Sequence, residues 1–273
     1  MKTIVDLSVT SALFRRRQGW SPGQLFGPAV PGGWYDPSDP TSVFADISGT
    51  QVAAIGESVA RLNDKSGNGL HAIQTISAAR PILRKDSSGR RYLDFDGVDD
   101  RLSSAPLNLS GHLKLTVAAG VRKRDGGAAR AIMGHHVSSL NAGGFDLLAS
   151  TGANDIIGAL ARSTAGSSGQ IGVSSHLLSP TTFVMLAQVN FAASAGAECL
   201  VRLNGTTMAQ NIGVIQDNTG TFGNGSLFLG SRANNTLFLN GRLYSLIVIA
   251  AELDAAAVVS LEDHVTSRTG VAA

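Results

Sequence analysis

The densest group of reactive side chains in this chain is Leu93-Asp94-Phe95-Asp96-Gly97-Val98-Asp99-Asp100, with four carboxylates inside seven residues. Hard oxygen donors of this kind suit calcium. The run lacks the closing bidentate glutamate of a full calcium loop, and Asp beside Gly also builds turns by accepting backbone N–H groups. Turn capping is the favoured reading. Asp94, Asp96, Asp99 and Asp100 remain the one calcium candidate, and no other cofactor is expected. Asn63-Asp64-Lys65-Ser66-Gly67-Asn68-Gly69-Leu70-His71-Ala72 reads the same way: Asp64 and Asn68 cap a turn in which Gly67 and Gly69 supply positive φ.

Other chemistry is sparse. His135 and His136 are adjacent, and neighbouring residues on a strand point to opposite faces, so they rarely share a metal ion. They read as a solvated loop pair. Glycan cleavage needs two carboxylates facing one groove, about 5–5.5 Å apart for the retaining reaction. The four glutamates (Glu57, Glu198, Glu252 and Glu262) are scattered, and no Glu-x-Asp-x-Glu pattern occurs. Asp94 and Asp96 alternate, but inside a turn-forming stretch. No Gly-x-Ser-x-Gly elbow and no phosphate-binding glycine loop is present, and Gly223-Asn224-Gly225 reads as a hairpin turn. A non-enzymatic protein is expected. Sugar sites stack an aromatic ring on the pyranose; aromatics are 5% of the chain, and Trp20, Trp34 and Tyr35 are the candidates outside obvious strands. The polar loops 135–143, 163–170 and 216–225 offer a rim without singling out a residue.

The scaffold for these groups follows from composition. At 273 residues one large sandwich with an appended segment fits. Sixteen aspartates against four glutamates favour turns over helices. A formal charge of +2, with no basic stripe interleaved with aromatics, argues against a nucleic-acid partner. The lone Cys199, inside Cys199-Leu200-Val201, is expected to be a buried free thiol. Residues 1–10 carry Asp6 where a signal peptide needs an apolar core, and no run is long enough to span a membrane. The expectation is a soluble protein made in the cytoplasm.

Leu113, Leu115, Val117, Ala119 and Val121 alternate with Lys114, Thr116 and Arg122, as half-buried strands do. Phe183, Met185, Ala187, Val189 and Phe191 repeat the pattern. Strands are also expected near 129–134, 144–149 and 155–162, and over 81–84 and 92–95 around Ser87-Ser88-Gly89. Asn204-Gly205 marks a hairpin and Asn240-Gly241 a further turn. The strand Leu243–Ala250 has Leu243, Ile247 and Ile249 on one face and Tyr244, Leu246 and Val248 on the other. It must therefore be covered on both sides, by a helix, the N-terminal segment or another subunit. Residues 52–62 are a candidate short helix. A second helix is expected over about 254–269, with Asp254 as N-cap, Val258, Leu261 and Val265 at helical spacing, and Gly270 as the stop.

Residues 1–32 read as a separate arm, since Pro and Gly at this density prevent regular helix. Phe14, Trp20 and Phe26 are costly to leave in water, and Arg15, Arg16 and Arg17 lie among them. Either the arm packs along its own domain or it docks on a neighbouring subunit or larger assembly. The second reading makes Phe14, Arg15, Arg16, Arg17, Trp20 and Phe26 the candidate binding residues. Residues 33–273 form the globular domain.

Asp36-Pro37-Ser38-Asp39, Asp64-Lys65-Ser66-Gly67-Asn68-Gly69, Arg80-Pro81, Phe95-Asp96-Gly97-Val98-Asp99-Asp100 and Leu239-Asn240-Gly241-Arg242-Leu243-Tyr244 occur in that order. This pattern resembles laminin-G-like, concanavalin-A-like jelly-roll domains over about residues 34–270, especially those of tailed-bacteriophage structural proteins. The resemblance implies an all-β antiparallel β-sandwich (jelly roll) with an N-terminal extended arm and a C-terminal helix. It also implies a structural component of a phage virion, on the tail or as capsid decoration, that forms homo-oligomers and contacts other virion proteins. The alternative is a carbohydrate-binding attachment module for a host or bacterial surface. No membrane partner is expected.

Overall fold

A computed structural model describes residues 19–27, 29–136, 143–152, 155–165, 171–194, 197–208, 219–233 and 236–271. The strands in the first half are β1 (Gly32–Tyr35), β2 (Val43–Phe44), β3 (Arg61–Leu62), β4 (Ala72–Ile73), β5 (Ile82–Lys85), β6 (Arg91–Asp96), β7 (Leu102–Asn108) and β8 (Lys114–Lys123). There follow β9 (Ala129–His136), β10 (Phe145–Thr151), β11 (Ile156–Ala161), β12 (Ile171–His176), β13 (Thr181–Asn190) and β14 (Cys199–Leu203). The last are β15 (Thr206–Thr207), β16 (Asn224–Leu229) and β17 (Asn240–Ile249), before helix α1 (Ala255–Thr269). They form two antiparallel sheets: an eight-stranded one in the order β15-β14-β13-β8-β17-β6-β5, with β1 also on β17, and a nine-stranded one in the order β12-β11-β10-β9-β16-β7-β4-β3-β2. The protein is an antiparallel β-sandwich with one C-terminal helix.

The alternation read on β8 and β13 is what joins the sheets. Leu115, Val117, Ala119 and Val121, with Phe183, Met185, Ala187 and Val189, point into the core between them. From the other sheet come Met133, Phe145, Leu147, Ala149, Ile157, Ala159, Leu227 and Leu229. The opposite faces of β8, β13 and β17 are apolar too. Ala118, Val184, Leu186, Ile247 and Ile249 meet Val258, Leu261 and Val265 of α1 in a second core, joined by Trp34 and, half-buried, by Trp20, Leu25, Phe26 and Val30. The molecule thus has three layers, with the eight-stranded sheet in the middle.

The helix begins and ends as its residues dictate. Asp254 Oδ1 accepts the Ala257 N–H at 2.8 Å, and Gly270 closes it at φ 70°. Gly120 lets α1 approach: a Cβ there would stand 2.5 Å from Thr269 Cγ2 and 3.0 Å from Val265 Cγ1. Arg202 of β14 donates to both oxygens of Glu262, at 2.9 and 3.0 Å, and Arg268 reaches the buried Asp36 at 3.1 Å.

Several expectations change. Residues 52–62 form no helix: Ser58 bridges Ile82, and Arg61–Leu62 is a strand between β2 and β4. Asn240-Gly241 is not a turn but the start of β17, paired with Asp96 and Phe95. Gly241 is there because its neighbour is too close for a side chain; a Cβ would lie 2.4 Å from the Arg122 carbonyl oxygen. Asn224-Gly225 likewise opens β16 and is no hairpin turn. Strict alternation also fails on β17, because the register with β8 shifts between Leu243 and Ser245. Leu243, Leu246 and Val248 therefore share the inter-sheet core, while Ile247 and Ile249 face α1. Asn204-Gly205 is the hairpin expected, with φ of 47° and 78°.

Candidate functional site

Over β8, β13 and β17 the outer face of the eight-stranded sheet is covered by α1 and the segment 20–34; the opposite outer face belongs to the nine-stranded sheet. On the nine-stranded sheet the residues between core positions define that outer face. Asp146 of β10 sits opposite Gly134 of β9 and Leu160 of β11, and His136 lies opposite Ser226 of β16. Arg162 follows two positions after Leu160. Arg232, beyond the end of β16, reaches back to the same place.

His136, Asp146 and Arg232 form one ionic group there. Asp146 Oδ1 is 2.6 Å from His136 Nε2, and its Oδ2 is 2.8 Å from Arg232 Nε. His136 and Asp146 are buried, at 7% and 3% exposure, whereas Arg232 and Arg162 keep contact with solvent. Nε2, facing the carboxylate, carries a proton. Nδ1 is buried with no hydrogen-bond partner among the described residues. Gly134 makes room for the pair: a Cβ there would lie 2.9 Å from Asp146 Oδ1 and 2.8 Å from His136 Cδ2. His136, Gly144, Asp146, Leu160, Arg162 and Arg232 line a shallow recess of about 230 Å³ including its mouth.

The expectation of a solvated histidine pair is therefore wrong. Both rings are on a buried strand, and alternation sends them to opposite faces. His135 points into the inter-sheet core, its Nε2 3.2 Å from the Leu107 carbonyl oxygen. Burial lowers its pKa to about 4, so it is a neutral core residue.

The acidic run divides. Asp94 is paired with Arg84 at 2.9 Å and with Arg124. Asp96 Oδ1 accepts the Val98 and Asp99 N–H groups at 2.7 and 3.3 Å, and Asp100 Oδ2 accepts the Asp96 N–H at 3.0 Å. One carboxylate oxygen each from Asp96, Asp99 and Asp100 lie within 4.8 Å of one another, so these three, without Asp94, are the acids that share one locus. Burial first, and then the neighbouring Asp96, push Asp100 up to about 7. Asp64 is wholly engaged as a cap, accepting from Trp34 N, Ser66 N and Leu70 N at 2.8–3.0 Å.

Two of the aromatics considered for sugar stacking are not available. Tyr35 is buried with its hydroxyl on the Leu70 carbonyl at 2.6 Å, and Trp34 is 8% exposed beneath α1. Trp20 and Phe26 pack within the chain as well: Trp20, at 6.2 Å, and Trp34, at 5.7 Å, flank the His264 ring of α1 edge-on, and Phe26 is half-buried in the same core. Phe14, Arg15, Arg16 and Arg17 lie outside the described residues, as do 137–142, 166–170 and 216–218 of the polar loops. A larger cleft of about 590 Å³ including its mouth lies among Val30, Pro31, Asn68, Leu70, Pro106 and Asn108, with no charged lining residue among the described residues. Cys199 is a buried thiol, pushed up to about 12 by burial.

Sequence reasoning missed Asp146, Arg162 and Arg232 because they are far apart in the chain. The available signal was a single acid at an alternating position in an otherwise apolar strand, Phe145–Ala149.

No protein-family model matches the chain, and no curated protein matches it. Solved structures do. The chain is similar to botulinum neurotoxin type C, which depends on two ganglioside molecules to get into cells (TM-score 0.51, 10% identity, 75% of this chain and 48% of that one). It is similar to the binding domain of botulinum neurotoxin DC in complex with rat synaptotagmin II (TM-score 0.52, 10% identity, 75% and 49%). A weaker likeness joins it to a pentraxin from Limulus polyphemus (TM-score 0.44, 13% identity, 64% and 80%). The chain thus spans about half the length of the toxin chains. At such identities the likeness to the toxins establishes the fold alone, a jelly-roll-like β-sandwich.

Proposed function

We propose that this protein is a non-catalytic glycan-binding module that uses the outer face of its nine-stranded sheet. One observation carries the reading. The eight-stranded sheet is covered over β8, β13 and β17 by the protein's own helix and N-terminal segment, while the opposite outer face holds a buried carboxylate and imidazole, with a part-exposed guanidinium, beside an open recess. Burying such a group adds little to stability when apolar packing would serve as well. Polar groups converging on a recess are what ligand recognition requires. The type C toxin, with its two gangliosides, gives a precedent for this use of the fold.

The virion reading from the sequence rested on the arm's apolar anchors, the missing catalytic pairs and the resemblance to phage structural proteins, and the anchors are the part that the fold bears on. Trp20, Phe26 and both faces of β17 find theirs within the chain. A glycan-binding role is compatible with a place on a phage tail, a capsid or a bacterial surface. The acids Asp94 and Asp96 are engaged in ion pairs and turn capping, which supports a module that binds without cleaving.

A glycan array probed with the full chain, with and without chelator, tests this. Binding in both conditions and no release of sugar is expected, since guanidinium and imidazole groups rather than an ion would hold the ligand. Blank arrays in both conditions reject the proposal. Binding lost with chelator would move the site to Asp96, Asp99 and Asp100.

A further inference from the structure

We propose that the end of the eight-stranded sheet's outer face left uncovered by α1 binds the phosphate or sulfate groups of an anionic polysaccharide, held between Arg122 and Arg242. This surface is separate from the recess on the nine-stranded sheet and does not depend on it.

A row of cross-strand partners runs over that end of the sheet. Arg242 of β17 lies opposite Asp94 of β6 on one side and Arg122 of β8 on the other, and Arg122 lies opposite Thr182 of β13. Leu93, Leu243, Val121 and Phe183, one residue away on each strand, point into the inter-sheet core, so the row points outward. The helix stops short of it: Thr269, the last residue of α1, meets Gly120, two positions before Arg122.

Arg122 and Arg242 are therefore like charges on side chains about 5 Å apart at Cβ, an arrangement that costs stability unless an anion comes between them. The nearby acids are spent elsewhere. Asp94 gives one oxygen to Arg84, at 2.9 Å, and the other to Arg124, so a single carboxylate serves two guanidiniums. Farther along the rim, Asp96 accepts the Val98 and Asp99 N–H groups, and Asp125 is held by Arg130 and Asn240. Among the described residues neither Arg122 nor Arg242 is in an ion pair. Arg122 reaches Thr182 Oγ1 at 3.5 Å, and the Arg242 guanidinium lies 4.5 Å over the Tyr92 ring, which fixes its place without neutralising it.

The pairing of the two arginines selects the ligand. A carboxylate is planar and matches one guanidinium fork. A tetrahedral oxyanion presents oxygens in several directions, so it can accept from two guanidiniums on neighbouring strands, with the Thr182 hydroxyl beside them. Single-stranded nucleic acid also asks for an aromatic face, and Tyr92 and Tyr244 are buried, at 4% and 2% exposure. A duplex asks for a longer basic stripe than one row. A charged polysaccharide asks only for the oxyanion contacts.

The test titrates the full chain with dextran sulfate, dextran phosphate and neutral dextran. Binding of a charged polymer, weakened at high salt, and none of neutral dextran is expected; the tighter of the two charged forms identifies the oxyanion. Thr182→Glu puts a carboxylate beside Arg122, and should weaken this binding roughly tenfold or more while melting no lower than the wild type. Arg122→Gln should weaken it similarly, whereas Lys114→Gln, which removes the same charge at the other end of β8, should not. No binding to either charged dextran, equal binding of neutral dextran, an equal loss in Lys114→Gln, or tighter binding of a DNA oligonucleotide overturns the inference. Each of these results leaves the recess on the nine-stranded sheet to be judged by the glycan array.

Discussion

The outer faces of the two sheets start from similar apolar strands and end in opposite states. On the eight-stranded sheet, β17 has large apolar residues on both sides, and α1 with the segment 20–34 covers the outer one. On the nine-stranded sheet, the outer face of β9 and β10 carries Gly134, His136 and Asp146, and the last two belong to an ionic group with Arg232. Beneath α1 the first face is closed by packing, which makes that region part of the fold. The second is held by electrostatics and stays accessible, which leaves it able to exchange water for a ligand.

The comparison predicts a graded series. Leu261→Ala empties the second core at a fully buried position and should cost about 3 kcal/mol in chemical denaturation. A loss near zero would show that α1 does not seal the sheet. Gly120→Ala puts a methyl group against Thr269 and Val265 and should cost about 2 kcal/mol through displacement of the helix. A variant as stable as the wild type would mean that the helix does not press on β8.

Two titrations separate the regions by pH. His264 lies between Trp20 and Trp34, with Arg268 on its own helix and Asp36 and Lys65 nearby; burial, then Arg268, lower its pKa to about 4 from 6.5. The native state therefore binds this proton less tightly than the unfolded chain, and its contribution to stability is lost as pH falls from about 6.5 to 4. Asp100 runs the other way. Its pKa is raised to about 7 from 3.8, so the native state takes up the proton first and is relatively stabilised as pH falls through that interval. Asp100→Asn should accordingly raise stability at pH 8 by about 1 kcal/mol and change little near pH 4. Thermal melts of the variant across that range check the sign, and an equal gain at both pH values would defeat it. The smallest effect is expected on the open face. Leu160→Ala, part-exposed beside the recess, should cost less than about 1 kcal/mol. A loss matching that of Leu261→Ala would end the distinction between the faces.

Much of the scaffold was legible in residue order. Alternation on β8 and β13, Asp254 and Gly270 bounding α1, and Asn204-Gly205 are local signals, and each produced the element its chemistry favours. Legibility ended where a local signal had two physical causes. Gly241 could serve a turn or a close backbone approach, and only the carbonyl of Arg122 beside it distinguishes them. The candidate site was less legible still. His136 was visible but assigned to solvent, because nothing within its own strand shows that Asp146 and Arg232 surround it.

What the sequence by itself determined is the long alternating strands β8 and β13, the hairpin at Asn204-Gly205 and the terminal helix, because period-2 burial, positive-φ glycines and side-chain caps act over a few residues. What only the tertiary structure decided is which sheet face is closed and which charges meet on the other. Those outcomes depend on strand order and on the bulge in β17, which bring residues about a hundred positions apart into contact, and no short-range pattern encodes that.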